Sequence, residues 1–225
     1  SEGTPETMRE REVSGLTVVL AENPAAGRTL PRPLTHGLPD EAFLRGKTPM
    51  TKLEVRSVSL SKLALTENAV VYDVGAGTGS VSVECARLSS GIRVFSIERD
   101  PEALELLEKN RQQFSLSNME IVAGTAPEAL EELPAPTHVF IGGSGGSMGR
   151  IVETVLRKNG TTRFVANLIT PESLAAVMDL PRDLPVTDPE IVMVTAARSK
   201  KAGNSHLMLG ANPVWIVAFS GREDQ

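Results

Sequence analysis

Cysteine is almost missing from this chain. Cys85 stands alone in 225 residues, which excludes a disulfide framework and a metal cluster built on thiolates. Histidine is scarce as well: His36, His138 and His206 lie far apart, a spacing that speaks against a histidine-bound metal. No metal site is expected. Aromatic residues make up 4%, little material for stacking nucleobases, and the net charge of −5 supplies no general attraction for nucleic acid or anionic membrane. A local basic site is still compatible with that charge. No apolar run is long enough to cross a bilayer, and no charged-then-apolar signal segment stands in the sequence. A cytoplasmic enzyme is the expectation.

The remaining composition is that of an ordinary globular protein, 40% hydrophobic and 23% charged, with length for one well-cored domain and some extra chain. The extra chain lies at the front. Residues 1–40 hold SEGTPETMRERE, an apolar run from Leu16 to Leu20, and the Pro- and Gly-rich stretch NPAAGRTLPRPLTHGLPD, which reads as a linker. The piece GLTVVLAENP has strand character but no companion strand nearby. It reads either as the tail of something preceding the domain or as a loose or edge-docked extension.

From Pro49 the pattern becomes regular. PMTKLEVRSVSLSKLAL carries apolar residues at Leu53, Val55, Val58, Leu60, Leu63 and Leu65, a helical spacing with Thr51 near its start. AVVYDVGAG and RVFSIERD read as strands, TGSVSVECARL as the helix between them, and PEALELLEKNRQQF as a helix opened by Asp100 and Pro101. MEIVAG, THVFIGG, TRFVANLI, EIVMVTAA and PVWIVAFS are further β-branched runs, with GRIVETVLRKN and PESLAAVMDL as helices among them. Strands alternating with helices predict an α/β fold with a doubly wound, mostly parallel sheet covered on both faces. The last two strands lack a helical pattern between them and are expected to pair antiparallel at the sheet edge.

Asp73-Val74-Gly75-Ala76-Gly77-Thr78-Gly79 follows the first buried-type strand and precedes a helix. There the chain must reverse sharply and admit a ligand to its backbone, which glycine permits at least cost. The pattern is G-x-G-x-G, not the G-x-G-x-x-G of a dinucleotide site, and no Lys-Ser/Thr follows to make a Walker A loop. About twenty residues on, Glu98 ends the second strand, where a carboxylate can accept ribose hydroxyls. Gly124-Thr125-Ala126 closes the third strand, where a backbone amide or the Thr hydroxyl can meet an adenine edge. Together these three strand ends fit S-adenosylmethionine better than NAD.

The segments PMTKLEVR, YDVGAGTGSVSVECA, IERDPEALELLEKN, AGTAPEAL and VFIGGSGG resemble the decarboxylating precorrin C15-methyltransferases of cobalamin biosynthesis, the CbiT type. The resemblance covers roughly residues 36–225, and PMTKLEVR with IGGSGG is its most specific part. It implies a class I S-adenosylmethionine-dependent methyltransferase (Rossmann-like) with cofactor contacts at Thr51, Gly75, Ala76, Gly77, Thr78, Gly79, Glu98, Thr125 and Ala126. Some relatives carry Asp where Glu98 stands, so the ribose pose differs slightly here. Residues 1–24 resemble the tail of a C5-methyltransferase domain. The arrangement implied is the C-terminal half of a fused precorrin-6Y C5,15-methyltransferase (decarboxylating), of CobL or CbiET type. A homotetramer is implied by the resemblance alone.

The implied reaction decarboxylates the C12 acetate of a precorrin-6-type macrocycle and methylates C15, without protein nucleophile or metal. The substrate's carboxylates call for Arg, backbone amides and helix N-termini. Candidate substrate contacts are Ser144 and Arg150 in the amide-rich IGGSGGSMGR segment, and Arg198 and His206 in the stretch joining the last two strands. That stretch reads alternatively as a solvated basic hairpin tip. No catalytic residue is assigned. His138, inside an apolar strand, reads as a satisfied core histidine, and Cys85 as buried filler. The alternative enzyme is an RNA methyltransferase such as the tRNA adenine-N1 enzymes, which wants a basic surface and stacking aromatics; a nucleic-acid adenine methyltransferase that grips a flipped base is opposed by the lack of an Asn-Pro-Pro-Tyr-like cluster after the fourth strand. A non-catalytic scaffold and an NAD-dependent oxidoreductase are the other classes; the intact glycines with Glu98 oppose the first and the early third glycine the second.

Overall fold

In this computed structural model the described residues are 35–222 and Gly15. The chain separates into the units Ser1–Arg32 and Pro33–Gln225, and the architecture is that of the second. The strand-like N-terminal piece, most of the linker and the reading of residues 1–24 as another domain's tail lie outside the described residues.

A short 3-10 turn at Asp40–Ala42 leads into helix α1, Leu53–Leu63. The helix begins at Leu53, the first of the apolar positions, and stops before Leu65, the last of them. Thr51 does not cap it. The N-cap is Lys52, without a side-chain bond, and the Leu53 N–H is instead taken by Asp40 Oδ1 at 3.0 Å. At the other end Ala64 turns into the left-handed region at φ 54°, and the helix stops there.

Next come β1 (Val70–Val74), α2 (Ser80–Leu88), β2 (Arg93–Glu98), α3 (Pro101–Gln113) and β3 (Met119–Ala123). They are followed by β4 (His138–Ile141), α4 (Met148–Lys158), β5 (Arg163–Leu168), α5 (Pro171–Met178) and the one-turn α6 (Leu180–Asp183). Asp100 caps α3 by accepting from Ala103 N at 2.9 Å, with Pro101 in the first turn, as the Asp-Pro pair predicts.

The main sheet has seven strands in the order β3-β2-β1-β4-β5-β9-β6, where β6 is Glu190–Val194 and β9 is Val214–Ser220. Strands β1 to β5 are parallel; β9 runs antiparallel to both β5 and β6. The expected antiparallel pair is therefore present, with β9 inserted inside β6 at the edge. After β1 the chain builds outward through β2 and β3, then returns to place β4 on the other side. That reversal opens a crevice at the carboxyl ends of β1 and β4.

Side chains alternate between two cores. Val71 and Phe140 join α1, α2 and α3 on one face, while Tyr72, Val139 and Ile141 meet α4 on the other. His138 is buried, with Nδ1 2.8 Å from Thr137 Oγ1, and burial holds its pKa below the usual imidazole value. Cys85 is fully buried, which pushes its thiol pKa up. Both read as core residues in the sequence, and both are.

Between β6 and β9 the chain forms a separate two-stranded sheet, β7 (Ala197–Ala202) and β8 (Ser205–Gly210). All of its residues are exposed. Strand pairing here is not legible from periodicity, because neither face is buried and the alternation of apolar with polar residues has no reason to appear.

Candidate active site

The glycine turn is stitched to β2 by its own backbone: Gly75 N and Ala76 N each donate to Ile97 O at 3.0 Å. Gly75 stands at φ 72°, and a Cβ on it would lie 2.9 Å from both N and O of Gly143. The turns after β1 and β4 thus touch backbone to backbone, and any side chain at Gly75 would push them apart. Gly79 has another task. It is the N-cap of α2 at φ 77°, where an added Cβ would run into Leu107 of α3.

Glu98, at the end of β2, is tied into the same turn. Its Oε2 accepts from Gly77 N at 2.8 Å, and its Oε1 accepts from Arg99 N and Asp100 N at 2.8 and 2.9 Å. A carboxylate has about four acceptor positions, so roughly one is left for a ligand. Gripping two ribose hydroxyls would require Glu98 to release a backbone N–H.

Asp73 lies beneath the turn, fully buried on β1. Its Oδ2 accepts from Ser82 N at 3.0 Å and from the Ser82 hydroxyl, which itself receives Ser96 Oγ at 2.7 Å. Its Oδ1 has no partner. Burial, with a smaller contribution from nearby Glu98, raises its pKa to about 6 against the hydrogen bonds of Ser82. An orphaned buried acceptor costs about 1–3 kcal/mol, a cost that a cationic ligand at the cleft wall would offset.

These groups line a cleft of about 960 Å³ at the β1–β4 switch point. Taken in strand order, one half of the wall is Asp73, Gly75–Gly77, Glu98 and Gly124–Ala126 at the ends of β1, β2 and β3, and the other is Ser144, Asn167 and Ile169 after β4 and on and after β5, with Arg198. Between the halves runs the Gly142–Gly143 backbone.

The base of the β7–β8 hairpin borders the cleft through Arg198, Leu209 and Gly210, and Arg198 holds it there. Its guanidinium meets Glu54 of α1 through both oxygens, at 2.9 and 2.6 Å, and Asp40 Oδ2 at 2.7 Å. The partnership holds the Glu54 carboxyl below the usual range and raises the Arg198 pKa further. Beneath it Arg56 is wholly buried between two acids, 2.8 Å from Glu84 Oε1 and 3.4 Å from Asp40 Oδ1. Glu84 also takes Gly37 N and Leu38 N, at 2.8 and 3.0 Å. The chain entering α1, the helix after the glycine turn and the hairpin are thereby joined through one buried network.

Of the sequence-predicted cofactor residues, Thr51, Gly75, Ala76, Gly77, Glu98, Thr125 and Ala126 line the cleft. Thr78 and Gly79 are not among its wall residues: Thr78 is buried behind the turn, and Gly79 serves the packing of α2 on α3. Of the predicted substrate residues, Ser144 and Arg198 line the cleft. Arg150 does not; it faces a shallow depression with Glu128, to which it is bonded at 2.7 Å. His206 is exposed on β8, across from Lys201 and off the cleft wall. Sequence reasoning misses Asp73, Asn167 and the Asp40–Arg56–Glu84 group. For the first two a signal exists, a lone polar side chain in an otherwise apolar strand.

Comparison with known proteins identifies the family. The family model described as precorrin methyltransferase domain matches residues 41–220. The chain belongs to this family. A relative from Pyrobaculum calidifontis, named probable cobalt-precorrin-6B C(15)-methyltransferase (decarboxylating), is 41% identical over 81% of this chain and 95% of its own length. Among solved structures, precorrin-6Y C5,15-methyltransferase from Geobacter metallireducens superposes with a TM-score of 0.77 at 36% identity, covering 83% of this chain and 96% of that one. The C-terminal domain of precorrin-6Y C5,15-methyltransferase from Rhodobacter capsulatus gives 0.74 at 30%, covering 84% and 100%. The glycine turn is thus that of a class I methyltransferase, whose methyl donor is S-adenosylmethionine.

Proposed function

We propose that this precorrin methyltransferase moves a methyl group from S-adenosylmethionine to C15 of a precorrin-6-type tetrapyrrole, with loss of carbon dioxide from the C12 acetate, in cobalamin biosynthesis. The observation that carries this reading is the two-part cleft. Its lining runs from the ends of β1, β2 and β3 past β4 to Asn167, Ile169 and the base of the hairpin, which offers wall beyond the candidate cofactor residues for a macrocycle edge.

The residues of the first half fit the cofactor. Asp73 Oδ1 offers a buried acceptor to its positive charge, Gly75 and Gly77 leave room for its backbone-close approach, Glu98 receives the ribose, and Thr125 and Ala126 flank the base. When bound, S-adenosylmethionine supplies an electrophilic methyl on a sulfonium that leaves readily. The protein's own work is then positional and electrostatic. The Gly142–Ser144 backbone separates the two ligands and offers amides to the substrate. The hairpin base, fixed through Arg198, borders the second half and limits water there. In the substrate the bond between the acetate methylene and its carboxyl breaks. Its electron pair would enter the conjugated ring, and C15 would take the methyl as the methyl's bond to sulfur breaks, leaving S-adenosylhomocysteine. Carbon dioxide carries the carboxyl away.

Incubation with a precorrin-6-type substrate and methyl-labelled cofactor tests the reading. A product that has gained the label and lost carbon dioxide supports it, and an unaltered macrocycle contradicts it. Among the described residues Phe140 is the one aromatic on the cleft wall, and it is buried, so nothing there serves to stack an RNA base.

The homotetramer expected from the family draws support from the apolar side chains left exposed on the edge strand and hairpin, Met193, Leu207, Met208 and Leu209. Light scattering at a tetramer's mass is the expected result. The fused C5-methyltransferase partner domain and the cytoplasmic location belong to the same proposal. Among the described residues no helix is long and apolar enough to cross a membrane.

A further inference from the structure

Helix α3 buries Ala103, Leu107 and Asn110, the helical spacing of a core-facing stripe, and Asn110 is the polar member of it. The residue is wholly buried, at a position where burial alone favours an apolar side chain. Its amide is spent on backbone. Oδ1 accepts from Leu44 N at 2.8 Å, while Nδ2 donates to Leu44 O at 2.9 Å and to Thr78 O at 2.8 Å. These partners fix which way round the amide sits. Turned over, it would set its oxygen against two carbonyls and its nitrogen against an N–H.

The two residues it joins belong to different parts of the site. Thr78 stands in the glycine turn. An α-helical N–H from Ser82 would normally take the Thr78 carbonyl, but Ser82 N is committed to Asp73, which leaves that carbonyl to Asn110. Leu44 opens the strap of chain that crosses to α1. Residues 47–52 of the strap line the cleft, and a Cβ on Gly77 would lie 3.2 Å from Pro49 O and 3.5 Å from Thr48 Cγ2. The strap therefore lies directly against the turn. Among the described residues, 45–50 make no hydrogen bond of their own. The strap is held by Met50, which packs on the core, and by its two ends: Arg56 donates to Thr51 O at one, and Asn110 takes both backbone groups of Leu44 at the other.

We propose that Asn110 is a positioning residue for the cofactor: through Leu44 and Thr78 it holds the strap against the glycine turn, which makes the strap one wall of the S-adenosylmethionine site. The inference rests on the turn being that site, and it adds a residue that touches no ligand. A wall without hydrogen bonds of its own keeps its place only as well as its ends are held. Releasing the Leu44 end lets the strap move off the turn, so that the cofactor loses contacts and leaves faster.

The test is S-adenosylhomocysteine binding to the full chain and to its Asn110→Ala, Pro49→Gly and double variants, with amide hydrogen exchange alongside. Asn110→Ala removes buried hydrogen bonds and predicts a Kd about tenfold higher or more, carried by faster dissociation. The Leu44 amide should exchange faster, while amides of β1, β4 and β5 keep their protection. Pro49 is exposed, and Pro49→Gly loosens the strap without touching Asn110 or the core; it predicts a Kd about twofold to fivefold higher. Because both act through the strap, Pro49→Gly should add little to Asn110→Ala. Wild-type affinity in either single variant overturns the inference. Additive losses in the double variant do so too, since the effect of Asn110 would then lie in the turn alone. Exchange that quickens equally in all strands makes the role purely structural and also overturns it. Should Asn110→Ala fail to fold, the milder Asn110→Ser is read by the same measures, beside Pro49→Gly. Failure of the wild-type chain to bind S-adenosylhomocysteine is a different result: it removes the cofactor site itself.

Discussion

At the residue scale, two carboxylates of the cleft do different work. Glu98 is spread over three backbone N–H groups and holds the glycine turn in shape before it touches any ligand. Glu98→Ala is therefore expected to weaken S-adenosylhomocysteine binding by more than about 1–2 kcal/mol, through lost ribose bonds and a loosened turn. Unchanged affinity in calorimetry would remove it from the site. Asp73 is the buried half-partnered acid, with its pKa lifted from 3.8 to about 6. The ammonium that S-adenosylhomocysteine shares with the methyl donor prefers the ionised form, so affinity should fall as pH drops through about 6. The stability effect of this group has the opposite sign. A folded pKa above the unfolded one contributes stability at low pH that is lost as pH rises through about 6, so Asp73 itself does not destabilise the fold while affinity declines. Titrations at several pH values, with thermal unfolding alongside, separate the two; flat affinity on crossing pH about 6 would exclude Asp73 from the site.

At the element scale, the base of the β7–β8 hairpin is pinned beside the cleft by one side chain. In sequence Arg198 reads as a substrate contact or part of a solvated tip. In the structure it lines the cleft but spends its guanidinium on Glu54 and Asp40, so its role toward substrate is chiefly to hold the hairpin in place. Arg198→Ala should lower turnover about tenfold while leaving S-adenosylhomocysteine affinity unchanged; the half-exposed Glu54 pair implies a stability loss under about 1 kcal/mol, and buried Asp40 keeps Arg56 and the Leu53 N–H as partners. Arg198→Lys should rescue little, since an ammonium cannot reproduce the forked contact with Glu54. Full turnover in the Ala variant would make the hairpin a solvated tip after all. The parallel strands are legible because strands buried on both faces read as continuous β-branched runs, such as the Val70-Val71-Tyr72 stretch. The hairpin is not, having no buried face to impose alternation. Nor is the group that satisfies the first N–H of α1, because the acceptor for Leu53 is Asp40, thirteen residues earlier in the chain.

At the scale of the whole molecule, most of the candidate cofactor residues come together on one cleft because their placement depends on local chain geometry: a glycine turn, an acid ending β2, small residues ending β3. The substrate half depends on what the topology brings together, and sequence reading fares less well there. Arg150 belongs to a neighbouring depression, His206 to the outer hairpin, and Arg56 looks like one more helix charge although it lies at 0% exposure between Asp40 and Glu84. Asn167 leaves only the faint signal of a polar side chain in the apolar run FVANLI. Long-range pairing of polar groups leaves little trace in periodicity.

The central claim is that the β1 turn, Asp73 and Glu98 form an S-adenosylmethionine site. Calorimetric titration of the chain with S-adenosylhomocysteine, with NAD as control, tests it most directly. The expected result is one site per chain with a Kd on the micromolar scale, about −8 kcal/mol, and no heat from NAD. Binding of NAD, or no binding of S-adenosylhomocysteine by the folded chain, would contradict it.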